Sequence, residues 1–142
     1  MAVQKIEPSY TARVTAVGAR NGHVSSDDGV LDHDLKTPGG KSGEANATNP
    51  EQLFGAAYAA CFQGALFGAG RKHEIDVSAS KVEVDVSIGK AEDNGSSLAV
   101  AIRVTVPDID RETTQMLADA AHQMCPYSRA TRGNIEVTVE AA

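Results

Sequence analysis

The chemistry that this 142-residue sequence could perform centres on its two cysteines, Cys61 and Cys125. A cysteine thiolate is a strong nucleophile that can be oxidised, joined to a second thiol or bound to a metal. The two cysteines are too few and too widely separated for a secreted disulfide framework, and neither belongs to a C-x-x-C pair. A disulfide between them would require Cα atoms within about 7 Å, which the sequence permits but does not establish.

By position alone, each candidate residue has a structural interpretation beside a chemical one. Cys61 lies in an apolar helical segment, where a free cysteine is commonly a small buried hydrophobe. Pro126 disfavours helical geometry at Cys125 and so places that cysteine at or just beyond a helix end. Arg20 beside an Asn-Gly turn is typical of a solvated side chain. Glu51 in a first helical turn is typical of a residue that complements the helix dipole.

The elements that must position these residues begin with short strands. Weak alternation over 10–17, a turn over 18–22 that contains Asn-Gly, and a short following run predict a hairpin. A second turn at Asp28-Gly29 leads to a run over 30–35, so the first third of the chain is predicted to be a small β-meander. Segment 37–49 is rich in Gly, Pro, Ser, Thr and Asn and is predicted to be a loop.

The first helix is predicted to start with Asn49 as its cap and Pro50 at its first position, and to end near Ala69, before Gly70. Residues 53–70 are almost all apolar and approach the length of a membrane span. Their richness in Ala and Gly and the polar flanking segments favour a buried helix instead. Small residues recur every four positions and would let another helix approach, from within the chain or from a second subunit: Ala60, Gly64 and Gly68.

The second half of the chain changes to a period of two. Alternation over 81–88 and 98–106, about an Asn94-Gly95 turn, predicts an antiparallel hairpin with one solvated face. Asp110 is predicted to cap a second main helix that ends near Met124, and a last strand covers 135–139. The order β-β-β-α-β-β-α-β predicts an α+β fold with a mostly antiparallel sheet, in a single domain over 1–142.

Composition and charge exclude several classes of protein. Thirteen Lys and Arg against nineteen Asp and Glu give a net charge of −6, which offers no electrostatic surface for nucleic acid. The N-terminal residues lack the features of a signal peptide, so a cytoplasmic location is expected, where thiols rest in the reduced state. The four histidines lack metal-ligand spacing and Gly39-Gly40 lacks the context of a phosphate loop, so neither site is predicted.

Two long segments carry a family resemblance. They closely resemble the two signature segments of the organic hydroperoxide resistance proteins, the Ohr branch of the Ohr/OsmC family: 48–54 (TNPEQLF) leading through 57–62 (AYAACF), and 125–135 (CPYSRATRGNI). The likeness extends over nearly the whole chain, including the turn 18–22, and both motifs carry their cysteines in register. The resemblance implies an OsmC-like fold and an intertwined homodimer with its sites at the subunit interface.

The resemblance further implies a thiol-dependent peroxidase that reduces organic hydroperoxides to alcohols. Cys61 matches the peroxidatic cysteine, Cys125 the resolving cysteine, and Arg20 and Glu51 the pair that orders the peroxidatic site. In this mechanism Cys61 is oxidised to a sulfenic acid, which condenses with Cys125 to a disulfide. Because an apolar setting raises the pKa of a thiol, a guanidinium held in place by a carboxylate is expected to keep Cys61 ionised.

Substrate and reductant are expected from the family and from the apolar surroundings of Cys61. An alkyl or fatty acid hydroperoxide suits the residues expected to bind substrate: Leu53, Phe54, Phe62, Phe67 and Tyr127. The family's reductant is a lipoyl-type dithiol, either dihydrolipoamide or a lipoylated protein, and neither a bound cofactor nor a metal is expected. Two alternatives stay open: a peroxidase of the OsmC branch, and a non-catalytic apolar-ligand-binding or redox-sensing protein.

The spacing of Glu51 and Cys61 constrains how the site is assembled. On one straight helix, the ten residues that separate them correspond to a rise of about 15 Å. The two could then not easily both touch Arg20 of the same chain. Either Glu51 lies on a bent lead-in to the helix, or the site is assembled across two chains, which agrees with the expected homodimer.

Overall fold

The computed structural model of the chain describes residues 2–38 and 47–142, and its strands form two separate sheets. The contacts divide the chain into two units, Met1–Pro50 and Glu51–Ala142. We call them unit 1 and unit 2 and describe each by itself. The single domain over 1–142 stays a prediction.

Unit 1 contains a four-stranded sheet in the order β1-β2-β3-β4. The strands are β1 Val14–Val17, β2 His23–Ser26, β3 Asp32–Leu35 and β4 Ala47–Thr48. The first three are antiparallel neighbours, as the predicted meander requires, and β4 pairs parallel with β3. The predicted loop over 37–49 is therefore interrupted by a short strand at its end, and its residues 39–46 lie outside the described part.

The geometry of the turn between β1 and β2 requires glycine at two positions, Gly18 and Gly22. Residues Ala19–Asn21 form a single 3₁₀ turn, and Gly18 has φ 84°, in the left-handed region that favours glycine. A Cβ on Gly22 would lie 1.8 Å from the carbonyl oxygen of Val17, so no larger residue fits there. The chain reverses over five residues rather than in the two-residue turn typical of Asn-Gly. Arg20 lies in this turn and is half-buried.

Unit 2 holds the main helices and a three-stranded sheet in the order β5-β6-β7. Its elements are α1 Pro50–Lys72, β5 Lys81–Lys90, β6 Ser96–Thr105, α2 Arg111–Met124, α3 Pro126–Thr131 and β7 Glu136–Ala141. The predicted hairpin is confirmed, since β5 and β6 pair antiparallel from Lys81 opposite Thr105 to Lys90 opposite Ser96. The predicted cap of α2 is also confirmed, because the Asp110 carboxylate accepts a hydrogen bond from the backbone N–H of Thr113.

Two features of unit 2 differ from the sequence predictions. Strand β7 pairs parallel with β6, because the segment between them crosses over through α2 and α3 and returns the chain to the same end of the sheet. Helix α1 continues past Gly70 to Lys72. A Cβ on Gly70 would lie 2.8 Å from the carbonyl oxygen of Ile75 and from Val77 Cγ2. Gly70 therefore permits close packing and does not end the helix.

The core of unit 2 forms where α1 and α2 cover one face of the sheet. The buried side chains come from α1, β6 and α2 and include Tyr58, Phe62, Leu66, Ile102, Val104, Leu117 and Cys125. By length and composition alone, α1 is also the one helix of the described residues that could cross a membrane. Its Tyr58, Phe62, Leu66 and Ala69 have no exposed surface, which supports the interpretation as a core helix.

Candidate active site

The two cysteines are held by the three helices of unit 2. Cys61 lies in the middle of α1 and is half-buried, whereas Cys125 is completely buried at the junction of α2 and α3. Cys125 is both the last cap residue of α2 and the first of α3, with ψ at 124°, an extended conformation. This agrees with the restriction that Pro126 places on the residue before it. Both cysteines are free thiols.

The Cys61 and Cys125 side chains lie near each other in unit 2, where Cys61 packs against the core that contains Cys125, and they are close enough to affect each other's charge. Burial raises the pKa of the Cys61 thiol, and the negative charge of an ionised Cys125 and the hydrogen bond with its sulfur raise it further. One opposing contact lowers the pKa of Cys61, a hydrogen bond from the backbone N–H of Tyr127 to its sulfur. These surroundings in unit 2 favour the protonated thiol, so a reactive thiolate needs a further positive charge.

Arg20 and Glu51 belong to different units. Arg20 lies in the 3₁₀ turn of unit 1, and Glu51 in the first turn of α1, at the start of unit 2. Their predicted pairing beside Cys61 stays a prediction. Glu51 and Cys61 do lie on one uninterrupted helix, so about 15 Å of helical rise separates them. The structure therefore does not support the alternative in which Glu51 lies on a bent lead-in.

The five residues expected to bind substrate have different environments. Phe54 lies seven residues before Cys61 and hence on the same face of α1. Its ring makes an edge-on contact with Tyr58, with centroids 6.1 Å apart, and Tyr58 in turn packs against Tyr127 at 5.9 Å. Tyr127 is 38% exposed, and Leu53 on α1 is half-buried. Phe54 and Tyr127 therefore leave apolar aromatic surface accessible on either side of the buried Tyr58 ring.

Two of the five lie elsewhere. Phe62 has no exposed surface and packs in the core of unit 2, so it offers no face to a substrate in this chain. Phe67 is 37% exposed but is turned by about 120° around α1 from Cys61. It lines a cavity of 210 Å³ near the end of the helix together with Arg71, Asp76 and Ser78. Substrate binding by any of the five stays a prediction.

Sequence reasoning missed a chain of hydroxyl groups beneath Cys125. The Tyr58 hydroxyl lies 2.9 Å from Ser128 Oγ and 3.0 Å from Thr131 Oγ1, and His122 Nδ1 lies 2.8 Å from Ser128 Oγ. We call these four residues the hydroxyl chain. Tyr58 could have indicated this feature in the sequence, since it places a hydroxyl group on an otherwise apolar helix. A buried tyrosine hydroxyl usually forms a hydrogen bond with another group.

Helix α3 was also missed, since no element was predicted from the sequence between the end of the second main helix near Met124 and the last strand. The helix is six residues long, and Pro126 occupies its first position. Arg132 follows it and donates from Nη2 to the carbonyl oxygen of His122 at 2.6 Å. That carbonyl lies in the last turn of α2, where a positive charge is favourable. The contact ties the end of α3 to the end of α2.

No metal site is seen in residues 2–38 and 47–142, since no group of three or more His, Cys, Asp or Glu side chains there could hold an ion. His23 contacts two carboxylates in unit 1, those of Asp32 and Asp34, on an exposed face of the sheet. These contacts raise the pKa of His23, that with Asp34 most and that with Asp32 next.

Comparison with known proteins gives a consistent result over almost the whole chain. The family model described as OsmC-like protein matches residues 42–140. Organic hydroperoxide resistance protein OhrB of Bacillus subtilis is 50% identical over 132 residues, covering 92% of this chain and 96% of that protein. The organic hydroperoxide resistance protein of Xanthomonas axonopodis pv. citri is 45% identical over 137 residues and covers 94% of both chains.

The same similarity holds in three dimensions. The crystal structure of OhrB from Bacillus subtilis superposes with a TM-score of 0.86 at 48% identity, covering 94% of this chain and 98% of that one. The α+β fold implied by the resemblance, with two main helices and mixed sheets, is therefore confirmed.

Proposed function

Because the chain belongs to the organic hydroperoxide resistance proteins of the OsmC-like family, we propose that it reduces organic hydroperoxides to alcohols by thiol chemistry. The observation that carries the proposal is the proximity of the two free thiols, one half-buried and one fully buried, within one core of unit 2. A thiol that is oxidised beside a second thiol can form a disulfide without a large movement of the chain. Cys61 is then the peroxidatic residue and Cys125 the resolving one.

The chemical steps balance with these two residues and one external dithiol. The Cys61 thiolate attacks the terminal oxygen of the hydroperoxide, the O–O bond breaks, and the alkoxide takes a proton and leaves as the alcohol. Cys61 is now a sulfenic acid. The Cys125 sulfur attacks the Cys61 sulfur, an S–S bond forms, and the hydroxyl group leaves with a proton as water. A lipoyl-type dithiol returns both cysteines to thiols and is itself oxidised to its cyclic disulfide.

The first step needs an ionised Cys61, which its surroundings in unit 2 oppose. We assign Arg20 as the cation that overcomes this effect, because a guanidinium stays charged and offers donors in a fixed plane. Glu51 would hold the guanidinium in place as a positioning residue. Since Glu51 and Cys61 are about 15 Å apart along α1, we assign the site to the interface of two chains.

A second copy of the chain is the partner that this arrangement requires. In the part of unit 1 that the structure describes, the buried hydrophobic side chains are Val24 and Leu35, too few for a core of its own. Six others are more than half exposed: Val3, Ile6, Tyr10, Val14, Val17 and Val30. Helix α1 also exposes Ala56, Ala60 and Gly64, four positions apart. These surfaces support a homodimer in which they are covered.

The substrate class that we propose is alkyl and fatty acid hydroperoxides. Two partly exposed aromatic side chains near Cys61, Phe54 and Tyr127, present carbon surface that suits an alkyl tail better than hydrogen peroxide. For the reductant we propose dihydrolipoamide or a lipoylated protein, on the strength of the family. We propose a cytoplasmic location, because a reducing compartment keeps the pair in the thiol state between turnovers.

Stopped-flow measurement of peroxide consumption tests this proposal against its alternatives. The protein is mixed with cumene hydroperoxide or hydrogen peroxide, with dihydrolipoamide or thioredoxin as the reductant. We expect rapid turnover with cumene hydroperoxide and dihydrolipoamide, and its loss in Cys61→Ser. Preference for hydrogen peroxide would favour a peroxidase of another type. Absence of turnover with every pair would favour a non-catalytic ligand-binding or redox-sensing protein.

A further inference from the structure

One hydroxyl group joins the three helices that carry the two cysteines. Ser128 lies on α3, three residues after Cys125, and has no exposed surface. Its Oγ lies 2.9 Å from the hydroxyl of Tyr58 on α1 and 2.8 Å from Nδ1 of His122 on α2. Tyr58 lies one helical turn before Cys61. The hydroxyl chain therefore links the helix segments next to Cys61 and Cys125 through hydrogen bonds on their buried side.

We propose that Tyr58 is a positioning residue for the resolving cysteine, whose hydroxyl fixes α3 against α1 and so keeps the buried Cys125 thiol beside Cys61. The inference rests on the proposed peroxidase function and deepens it, because it assigns the residue that controls the second chemical step. It adds a group outside the four residues that match the family's peroxidatic site.

The need for such an anchor follows from the size of α3. A helix of six residues is too short to be stable by its own hydrogen bonds, so contacts with its neighbours must hold it. On the buried side the hydroxyls of Ser128 and Thr131 supply these contacts, and both meet the single hydroxyl of Tyr58. Arg132, just after the helix, supplies a second attachment to α2. Tyr58 thus attaches α3 to the helix that carries Cys61 through side-chain hydrogen bonds from the buried side, in addition to the hydrogen bond from the Tyr127 backbone to Cys61.

The hydrogen atoms of the hydroxyl chain can be assigned from its end. Thr131 Oγ1 donates to the carbonyl oxygen of Ser128 at 3.2 Å, so it must accept from Tyr58. Having donated there, the Tyr58 hydroxyl accepts from Ser128, and Ser128 Oγ accepts from His122 Nδ1. Each hydroxyl then donates once and accepts once. The assignment fixes His122 with its proton on Nδ1.

The protonation of His122 agrees with this assignment. Burial lowers the pKa of His122, the charge of Arg132 lowers it further, and the carboxylate of Asp119 opposes these effects. The ring is therefore neutral at neutral pH and has a defined tautomer. That tautomer reports on whether Tyr58 holds the chain in order.

The chemical consequence concerns competition at the Cys61 sulfenic acid. That species is consumed either by Cys125, which gives the disulfide, or by a second hydroperoxide, which gives an irreversible sulfinic acid. If α3 is less firmly held, Cys125 spends less time in reach and the first route slows. Attack of the Cys61 thiolate on the first hydroperoxide forms no bond to Cys125, so a change in α3 affects that step only through the Cys61 pKa, on which Cys125 and the Tyr127 backbone act in opposite directions.

The test is Tyr58→Phe, which removes the hydroxyl and keeps the ring that packs between Phe54 and Tyr127. The reduced protein is mixed with cumene hydroperoxide, quenched at intervals and analysed by intact mass for sulfenic acid, disulfide and sulfinic acid. We expect the sulfenic acid to form within about twofold of the wild-type rate, and the disulfide to form about tenfold more slowly, as expected for the loss of both buried hydrogen bonds of the Tyr58 hydroxyl. The sulfinic acid fraction rises accordingly.

Two further variants separate positioning from general destabilisation. Ile102→Val, in β6 and 1% exposed, removes one methylene from the same core without touching the hydroxyl chain. The Ile102→Val protein should form its disulfide at the wild-type rate, even if urea unfolds it as readily as it unfolds Tyr58→Phe. Thr131→Val removes one of the two partners of Tyr58 and should give an intermediate rate. It provides the measurement if Tyr58→Phe does not fold.

The tautomer of His122 gives a readout that loss of stability alone would not move. In Tyr58→Phe the Ser128 hydroxyl loses its acceptor and turns to donate to His122 Nδ1. Nitrogen-15 NMR at about pH 8, where histidine is neutral, should then show the proton on Nδ1 in the wild type and increasingly on Nε2 in the variant. Proton positions that match in the two proteins would overturn the assignment.

The failure of this inference is distinguishable from the failure of the proposed function. If the wild-type protein does not consume cumene hydroperoxide, the proposed peroxidase function is refuted. The positioning role of Tyr58 is then tested with diamide as the oxidant, by comparing the rate of disulfide formation in the same variants. Closure in Tyr58→Phe at the wild-type rate, with either oxidant, overturns the positioning role of Tyr58.

Discussion

Gly64→Leu tests whether a second chain covers the exposed face of α1. Gly64 is exposed in the middle of the helix, and a Cβ built on it meets no atom within 4 Å. In the isolated chain a leucine is therefore accommodated, and its better helix propensity stabilises the fold by about 0.8 kcal/mol. The neighbouring exposed positions on this face, Ala56 and Ala60, are also small. A partner helix that packs closely here leaves no room for a leucine.

The size of the effect on association follows from overpacking. An oversized side chain in a packed interface costs about 1–3 kcal/mol, and two-fold symmetry repeats the clash, which gives about 2–6 kcal/mol per dimer. The dimer dissociation constant should rise by a factor between about 30 and about 10⁴. Sedimentation velocity over a dilution series measures it, and circular dichroism reports the fold of each chain.

A matched control distinguishes a clash from the addition of an exposed leucine. Gln123→Leu places the same side chain at an exposed position of α2 and should leave the dimer unchanged. If Gly64→Leu sediments as the wild type does and melts at a higher temperature, the face of α1 is open to solvent. The assignment of the dimer interface to this face would then be refuted.

Two further predictions concern the protonation of Cys61. Burial is the largest cause of its raised pKa, and the charge and hydrogen bond of Cys125 follow, so Cys125→Ser should lower the pKa. The pH midpoint of Cys61 alkylation by iodoacetamide should therefore move down, and an unchanged or higher midpoint would contradict the assignment of these causes. Arg20→Ala removes the proposed cation and should slow alkylation of Cys61 near neutral pH by about tenfold, equivalent to one pKa unit. An alkylation rate equal to that of the wild type would exclude Arg20 from the site.

Much of the fold could be predicted because local patterns determine it. The alternation in β5 and β6 and the Asp110 cap of α2 each depend on residues close in sequence, and the structure agrees with them. The parallel direction of β7 could not be predicted, because it depends on how the crossover through α2 and α3 returns to the sheet. Gly70 was misinterpreted for a similar reason, since its role is set by Ile75 and Val77 packed against it.

The candidate site also contains residues that could be predicted from the sequence and residues that could not. The signature segments indicated Cys61 and Cys125, and the structure places both residues at the same core of unit 2. The hydroxyl chain was not predicted, because Tyr58 and Ser128 are seventy residues apart in sequence and no local period links them. Phe62 was expected near the substrate, because an apolar residue beside Cys61 looks the same in sequence whether it faces the core or the surface.

The complete burial of Cys125 has a consequence for how the oxidised protein is reduced. A thiolate that opens a disulfide attacks one sulfur along the line of the S–S bond and expels the other. If the pair closes where it lies, the half-buried sulfur of Cys61 is the one that an external dithiol can approach. Cys125 is then the leaving group, and the mixed disulfide with the reductant forms on Cys61. The same cysteine that meets the oxidant would therefore also meet the reductant, and one opening in the protein surface would serve both halves of the cycle.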